Sequence, residues 1–264
     1  MNKIIRSFIC SFILVLLLPT ITSAQSYGWG FQKRGEGLPP IAGTYENILQ
    51  QNNGYFYDPS GEKVLYLTFD NGYEQGYTDQ VLDVLKEKEV PATFFVTGHY
   101  VESSEELIQR MVQEGHIVGN HSWSHADFTT LGKEEIKEEL RKVEEAVANI
   151  STQQSMSFLR PPRGTFTPES LSAASELGYA NMFWSLAYVD WETNNQKGWK
   201  HSYEQVMKQV HPGAIMLLHA VSSDNAEALS HLIDDLREEG YTFKSLNYFM
   251  RKQMLPEPFV KDFG

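Results

Sequence analysis

The chain is almost devoid of cysteine: among its 264 residues only Cys10 carries a thiol. Everything beyond residue 24 therefore lacks a disulfide framework, a thiol nucleophile and a thiolate metal ligand. Basic residues are also scarce, with 22 Lys and Arg against 34 Asp and Glu and a formal net charge of −12. That balance excludes nucleic-acid binding through bulk electrostatics. Long apolar runs are missing too: the longest, residues 8–18, falls short of the roughly 20 residues that span a bilayer.

That short run has a definite form. Lys3 and Arg6 precede it and Thr22-Ser23-Ala24 follow it, the pattern of a secretory signal peptide over residues 1–24 with cleavage after Ala24. An uncleaved anchor is the alternative. The expectation is an exported protein with no stable membrane insertion once the leader is removed, and its length suits one large domain.

Residues 25–62, rich in Gly, Pro, Gln and aromatic side chains and ending in the turn Asp58-Pro59-Ser60-Gly61, read as an irregular segment packed on that domain. From residue 63 to 264, short apolar runs alternate with helical periodicity. Strands are expected at 64–69, 92–97, 116–119, 156–159, 180–186, 214–218 and 242–246. The clearest helix is 133–150, where Ile136, Leu140, Val143, Val147 and Ile150 form one apolar stripe. Others are centred on 81–88, 107–114, 170–177, 203–210 and 229–238. Seven such units predict a parallel α/β fold, better matched by a distorted, incomplete (β/α) barrel than by a closed eightfold one; an open doubly wound sheet shares the same pattern.

In either architecture chemistry belongs at the C-terminal ends of the strands. The unusual polar residues fall there: Asp70 and Asn71, His121 and His125, Arg160 and Arg163, Asp190, and His219. Singly, each has an ordinary reading. Two histidines four apart suit a divalent metal if a turn of helix, or a loop like one, points them the same way, or they are surface or core residues. Asp70 is a base or a helix cap. His219, ending an apolar strand, is a proton donor or a buried core histidine, and Asp190 is its partner or a loop carboxylate. The prolines of Arg160-Pro161-Pro162-Arg163-Gly164 stiffen a segment whose Arg163 pairs with a carboxylate such as Asp70, or whose arginines are simply solvated. Paired carboxylates of the glycosidase kind do not stand out at the strand ends.

Taken together and in order, TFDNG, HSWSH, RPPRG, Val189-Asp190-Trp191 and IMLLH resemble the five motifs of the polysaccharide deacetylase family, also called NodB-homology or carbohydrate esterase family four. The resemblance runs from about residue 64 to 246. TFDNGYE, the RPPRG arginine and residues 194–198 resemble most the PdaA-type N-acetylmuramic acid deacetylases, whose product leads to muramic δ-lactam in spore cortex.

The resemblance implies a divalent metal, zinc the leading candidate, held by His121 and His125. It implies Asp70 as general base for the attacking water, His219 as the acid that protonates the departing amine, and Asp190 as the partner of His219. Arg163 would assist catalysis near the oxyanion, and Arg160, Pro162, Arg163, Gly164, Trp191 and Leu217 would contact the sugar. Two departures stand out. Asn71 replaces a metal-binding Asp, which predicts a weak or water-mediated ligand, and Arg163 replaces an aromatic residue, so that it either recognises a lactyl carboxylate or orients Asp70. The implied partner is peptidoglycan glycan, met outside the membrane at the wall or spore cortex by a monomer. The alternatives left open are an N-acetylglucosamine deacetylase of peptidoglycan or chitin-like polymers and a non-catalytic carbohydrate-binding wall protein.

Overall fold

The computed structural model describes residues 25–35 and 37–254, so the expected leader lies outside the described residues. In chain order the strands are β1 (Tyr27–Gly28), β2 (Gly54–Tyr55), β3 (Val64–Asn71), β4 (Ala92–Val96), β5 (Ile117–Asn120), β6 (Phe158–Leu159), β7 (Thr165–Phe166), β8 (Ala180–Met182), β9 (Ile215–His219) and β10 (Thr242–Phe243). All seven expected strands are present. They form a curled, incomplete barrel of parallel strands: β3 pairs with β4 on one edge and β9 on the other, and the sheet continues through β5, β6 and β8. The expected strand at 180–186 divides in two. Its first half is β8, whereas Ser185 and Leu186 cross to the free edge of β9, where the Ser185 N–H donates to Ile215 O at 3.0 Å and the Leu217 N–H to Leu186 O at 2.9 Å. That crossing curls the sheet toward closure. Among the described residues no helix is long and apolar enough to cross a membrane.

β3 is the axis of the fold, and all eight of its residues are buried. Alternation along the strand sends Leu65, Leu67 and Phe69 outward to the helices and Val64 and Tyr66 inward against Phe95, Phe158, Met182 and Ile215. The helix Lys133–Ile150 has the bounds its periodicity predicts, with Ile136, Leu140, Val143 and Val147 buried. Each such side chain contributes roughly 1.5–3 kcal/mol through burial. The other expected helices differ by a few residues at their starts, most at Ser223–Glu238, whose polar first turn hides it from an apolar-periodicity argument.

The segment before the barrel is more ordered than its composition implies. It holds the helix Thr44–Gln51 and the strand β2, which adds in parallel to β8. β1 pairs antiparallel with β7 immediately after the RPPRG segment, and Tyr27, Trp29, Tyr45 and Phe56 pack with Phe166 and Phe183. The segment is therefore a brace for the loop that carries Arg160 and Arg163. At its far end a Cβ on Gly213 would lie 2.0 Å from the carbonyl oxygen of Asp58, at a φ of +80°, so only glycine lets these chains meet.

One core imidazole gives the fold a pH dependence. His116 is 6% exposed; its Nδ1 accepts the Ala92 N–H at 3.3 Å, and its Nε2 has no partner among the described residues. Burial pushes its pKa down to about 4. Between pH 6.5 and 4 the unfolded chain binds this proton and the folded chain does not, so stability falls as pH drops through that window, by on the order of 3 kcal/mol. Chemical denaturation across it should give a shallower pH slope for His116→Leu than for wild type. Equal slopes would contradict this account.

Candidate active site

Adjacent strand ends bring the chemistry together. Asp70 on β3 and His219 on β9 are direct register partners, and His121 follows β5 with its N–H on Val96 O at 3.0 Å. The HSWSH segment is not a turn of helix. Ser122 (φ 65°) and His125 (φ 56°) both adopt left-handed backbone, and this strained loop, rather than i,i+4 helical spacing, brings the two imidazoles to a centroid separation of 4.9 Å. It packs closely: a Cβ on Gly98 would meet the Trp123 ring at 2.3 Å.

Asp70 is 7% exposed. Its Oδ1 accepts from Arg160 Nη1 at 2.7 Å, and its Oδ2 lies 3.5 Å from His121 Nε2. The cation that steadies Asp70 is thus Arg160 and not Arg163, a correction that follows from backbone direction. Arg160 leaves the end of β6 pointing into the barrel, fully buried, with Nε on Met182 O at 3.1 Å and its guanidinium 4.2 Å from the Phe95 ring centroid. Arg163, beyond two prolines and at a φ of 60°, turns out to the surface. Burial alone would raise the Asp70 carboxyl, but Arg160 first, then His121 and His219, outweigh it and hold the group below the usual carboxylate range.

The third imidazole has the opposite electrostatics. His219 Nδ1 donates to Asp190 Oδ1 at 2.6 Å, and the His219 backbone N–H donates to Asp190 Oδ2 at 2.8 Å. Burial lowers the affinity of His219 for a proton, yet the charge and hydrogen bond of Asp190 prevail and raise its pKa. His125 goes the other way, pushed down to about 4 by burial and then by His121. A low carboxyl and a raised imidazole on neighbouring strand ends make an acid–base pair.

These groups line a cavity of about 400 Å³, with Tyr73, His99 and Trp191 in its walls. A compartment of about 380 Å³ adjoins it, sharing Asp70, His121, His125, Trp191 and His219 and adding Arg163, Gly164, Trp184 and Leu217. Trp191 is 47% exposed, its ring 5.4 Å from that of His219. Pro162, part of the RPPRG loop, is buried. A Cβ on Gly164 would strike Trp184 at 2.8 Å.

The residues present fit a divalent cation in part. His121 Nδ1 lies 2.8 Å from the Arg160 carbonyl oxygen, which can only accept, so Nδ1 carries the proton and Nε2 keeps its lone pair. Burial holds both imidazoles neutral, as ligands must be. Asn71 is 1% exposed, its amide has no hydrogen bond among the described residues, and it sits between Asp70 and Gly72, which line the cavity. The described residues contain no cluster of three His, Cys, Asp or Glu placed to share one ion.

Residues 57–182 match the family model for polysaccharide deacetylase. The peptidoglycan-N-acetylmuramic acid deacetylase PdaA of Bacillus subtilis (strain 168) is 50% identical over 235 residues, covering 89% of this chain and 89% of its own. The chain belongs to the polysaccharide deacetylase family. The solved structure of PdaA, a family 4 carbohydrate esterase, superposes with a TM-score of 0.85 over 87% of this chain and 98% of that one. A family 4 carbohydrate esterase from Bacillus anthracis, 47% identical, superposes with a TM-score of 0.73 over 86% of this chain and 97% of that one. More distant is a peptidoglycan-N-acetylglucosamine deacetylase of Bacillus cereus, 30% identical over 72% of this chain and 70% of its own. The protein is accordingly an enzyme of the polysaccharide deacetylase class, with the curled NodB-type barrel of that family.

Sequence reasoning missed two features of this deacetylase site. It weighed Arg163 alone as a partner for Asp70, with lactyl recognition as the alternative, and overlooked Arg160, since spacing carries no information on which side chain turns inward. It also passed over Asn225, which stands behind Asp190. A Ser222-x-x-Asn225 start to the following helix was legible as a cap, but nothing in the sequence ties a cap to the acid of another loop.

Proposed function

We propose that the protein removes the N-acetyl group from N-acetylmuramic acid residues of peptidoglycan, outside the membrane, in preparation for muramic δ-lactam formation in spore cortex. The observation that carries the sugar assignment is Arg163. Its exposed guanidinium lines the compartment beside Asp70, His121 and His125 and has no ion-pair partner among the described residues. Muramic acid differs from glucosamine by a lactyl carboxylate, the planar anion a guanidinium fork matches. PdaA, named for N-acetylmuramic acid, is also far more similar, at 50% identity, than the Bacillus cereus relative named for N-acetylglucosamine, at 30%.

The reaction breaks the amide C–N bond, places a water oxygen on the acetyl carbon, and releases acetate and a free sugar amine. Asp70, held unprotonated by Arg160, accepts the proton of the attacking water through Oδ2. His219, its Nδ1 fixed on Asp190, presents Nε2 and gives a proton to the leaving nitrogen. His121 and His125 would hold a divalent cation, zinc the leading candidate, with Asn71 as a neutral and weak third ligand; when bound it would polarise the acetyl carbonyl and acidify the water. Trp191 offers the sugar an apolar face, and Leu217 and Gly164 line the compartment around it, whereas Pro162 and the fully buried Arg160 line neither cavity and do not reach the sugar.

Arg163→Lys and Arg163→Tyr test the sugar assignment. Both should weaken action on muramic substrates by about tenfold or more, the loss of one charged bidentate contact, and leave action on N-acetylglucosamine oligomers within about twofold. Equal losses on both sugars would count against lactyl recognition.

A further inference from the structure

The acid half of the site is supported from behind by a chain of neutral polar groups. Asn225, 1% exposed, lies in the first turn of the helix Ser223–Glu238, and its backbone N–H donates to the cap Ser222 Oγ at 3.2 Å. Its Nδ2 donates to Asp190 Oδ2 at 2.5 Å and to the His219 carbonyl at 3.2 Å. Its Oδ1 accepts from Ser202 Oγ at 2.7 Å and from the Tyr188 hydroxyl. The two hydroxyls touch each other at 2.5 Å.

The orientation of this amide is settled by its neighbours. A flipped Asn225 would set its oxygen against the Asp190 carboxylate, which has no proton to give, and its NH₂ against two hydroxyls left to donate elsewhere. Burial, and then the charge of Asp190, raise the pKa of Tyr188, so its hydroxyl stays a donor. Asp190 Oδ2 therefore takes one hydrogen bond from the His219 backbone and one from Asn225, which leaves Oδ1 for the His219 ring. The plane of the carboxylate, and with it the direction of His219 Nε2, is fixed by three donors.

We propose that Asn225, seated on Ser202 and Tyr188, is a positioning residue for the proton-donating step: it orients Asp190 so that His219 aims Nε2 at the departing nitrogen. The proposal rests on the deacetylase reading given above. Support of this kind behind a hydrogen-bonded imidazole is typically worth 10–100-fold in activity, and here it comes from a helix start that is itself capped.

The test uses the purified protein, wild type and Asn225→Asp. The variant keeps the size of the side chain and its acceptance from Ser202 and Tyr188, but replaces the donor to Asp190 by a second carboxyl oxygen. Expected are a 10–100-fold fall in kcat with KM within about threefold, and a shift of the downfield proton resonance of His219 Nδ1–H, assigned by its disappearance in His219→Gln. Ser202→Ala, which loosens the amide without touching Asp190, should move both readouts the same way by less; it decides the question if Asn225→Asp does not fold. Wild-type kcat with an unmoved resonance overturns the proposal, as does a loss of melting temperature alone. If wild type releases no acetate from any glycan, the deacetylase reading fails by itself, and the resonance still reports whether Asn225 orients the pair.

Discussion

Asp70→Asn is expected to lower turnover by about 10²–10⁴-fold, the range for loss of a general base, and separately to cost about 3–5 kcal/mol of stability. Both effects come from one contact. Asn keeps the shape of Asp but cannot accept the proton of the attacking water, and it leaves the guanidinium of Arg160 with no counter-charge. Arg160 is fully buried, its Nη2 already lacks a hydrogen-bond partner among the described residues, and aromatic rings close over it. An uncompensated cation in that position is far more costly than the pair itself was favourable. Removing the cation instead, with Arg160→Met, exposes the linkage from the other side. Burial then acts on Asp70 with its main opposing charge gone, its pKa rises, and activity lost at neutral pH should be partly regained as pH increases. Steady-state rates across pH together with denaturant unfolding check both halves. A variant as stable as wild type, or one with unaltered turnover, would break the link between the ion pair and the chemistry.

The second large effect concerns the imidazole pair. His121→Ala should abolish uptake of one equivalent of divalent cation and lower turnover by several orders of magnitude, because cation-assisted amide cleavage then loses both polarisation of the carbonyl and acidification of the water. Asn71→Asp should act in the opposite direction on binding. It adds a negative charge beside the two neutral imidazoles and should tighten the cation by about tenfold or more, since ligand charge sets affinity for hard cations. Calorimetric titration of metal-stripped protein measures both without relying on activity. Affinity unchanged in Asn71→Asp would mean that this buried side chain, its amide unpartnered among the described residues, does not reach the ion.

Much of this architecture was legible in the residues, for identifiable reasons. Buried parallel strands must be apolar on both faces, so β3, β4 and β9 announce themselves as continuous runs, and Asp70 and His219 become conspicuous as polar residues at the ends of those runs. The helix Lys133–Ile150 was readable to the residue because one face is apolar and the other charged. What stayed hidden depends on direction and pairing. No periodicity says that Ser185 and Leu186 leave β8 for β9, that β2 extends the sheet from a segment rich in turn residues, or that of two arginines three apart the first goes inward. The histidine pair is legible in sequence by its spacing, but the geometry behind it differs: left-handed backbone at Ser122 and His125 brings the rings together where a turn of helix or a loop like one was expected. Asn225 is the general case, since an uncharged amide in a helix cap looks the same in sequence whether or not a catalytic carboxylate lies beyond it.

The most direct test of the whole account is mass analysis of purified peptidoglycan strands after incubation with the protein, with and without a chelator. Predicted is the loss of acetyl groups from N-acetylmuramic acid, one acetate released for each free amine formed, stopped by the chelator and restored by a divalent cation. Free amines on glucosamine with the muramic residues intact, or acetate release indifferent to the chelator, would contradict it.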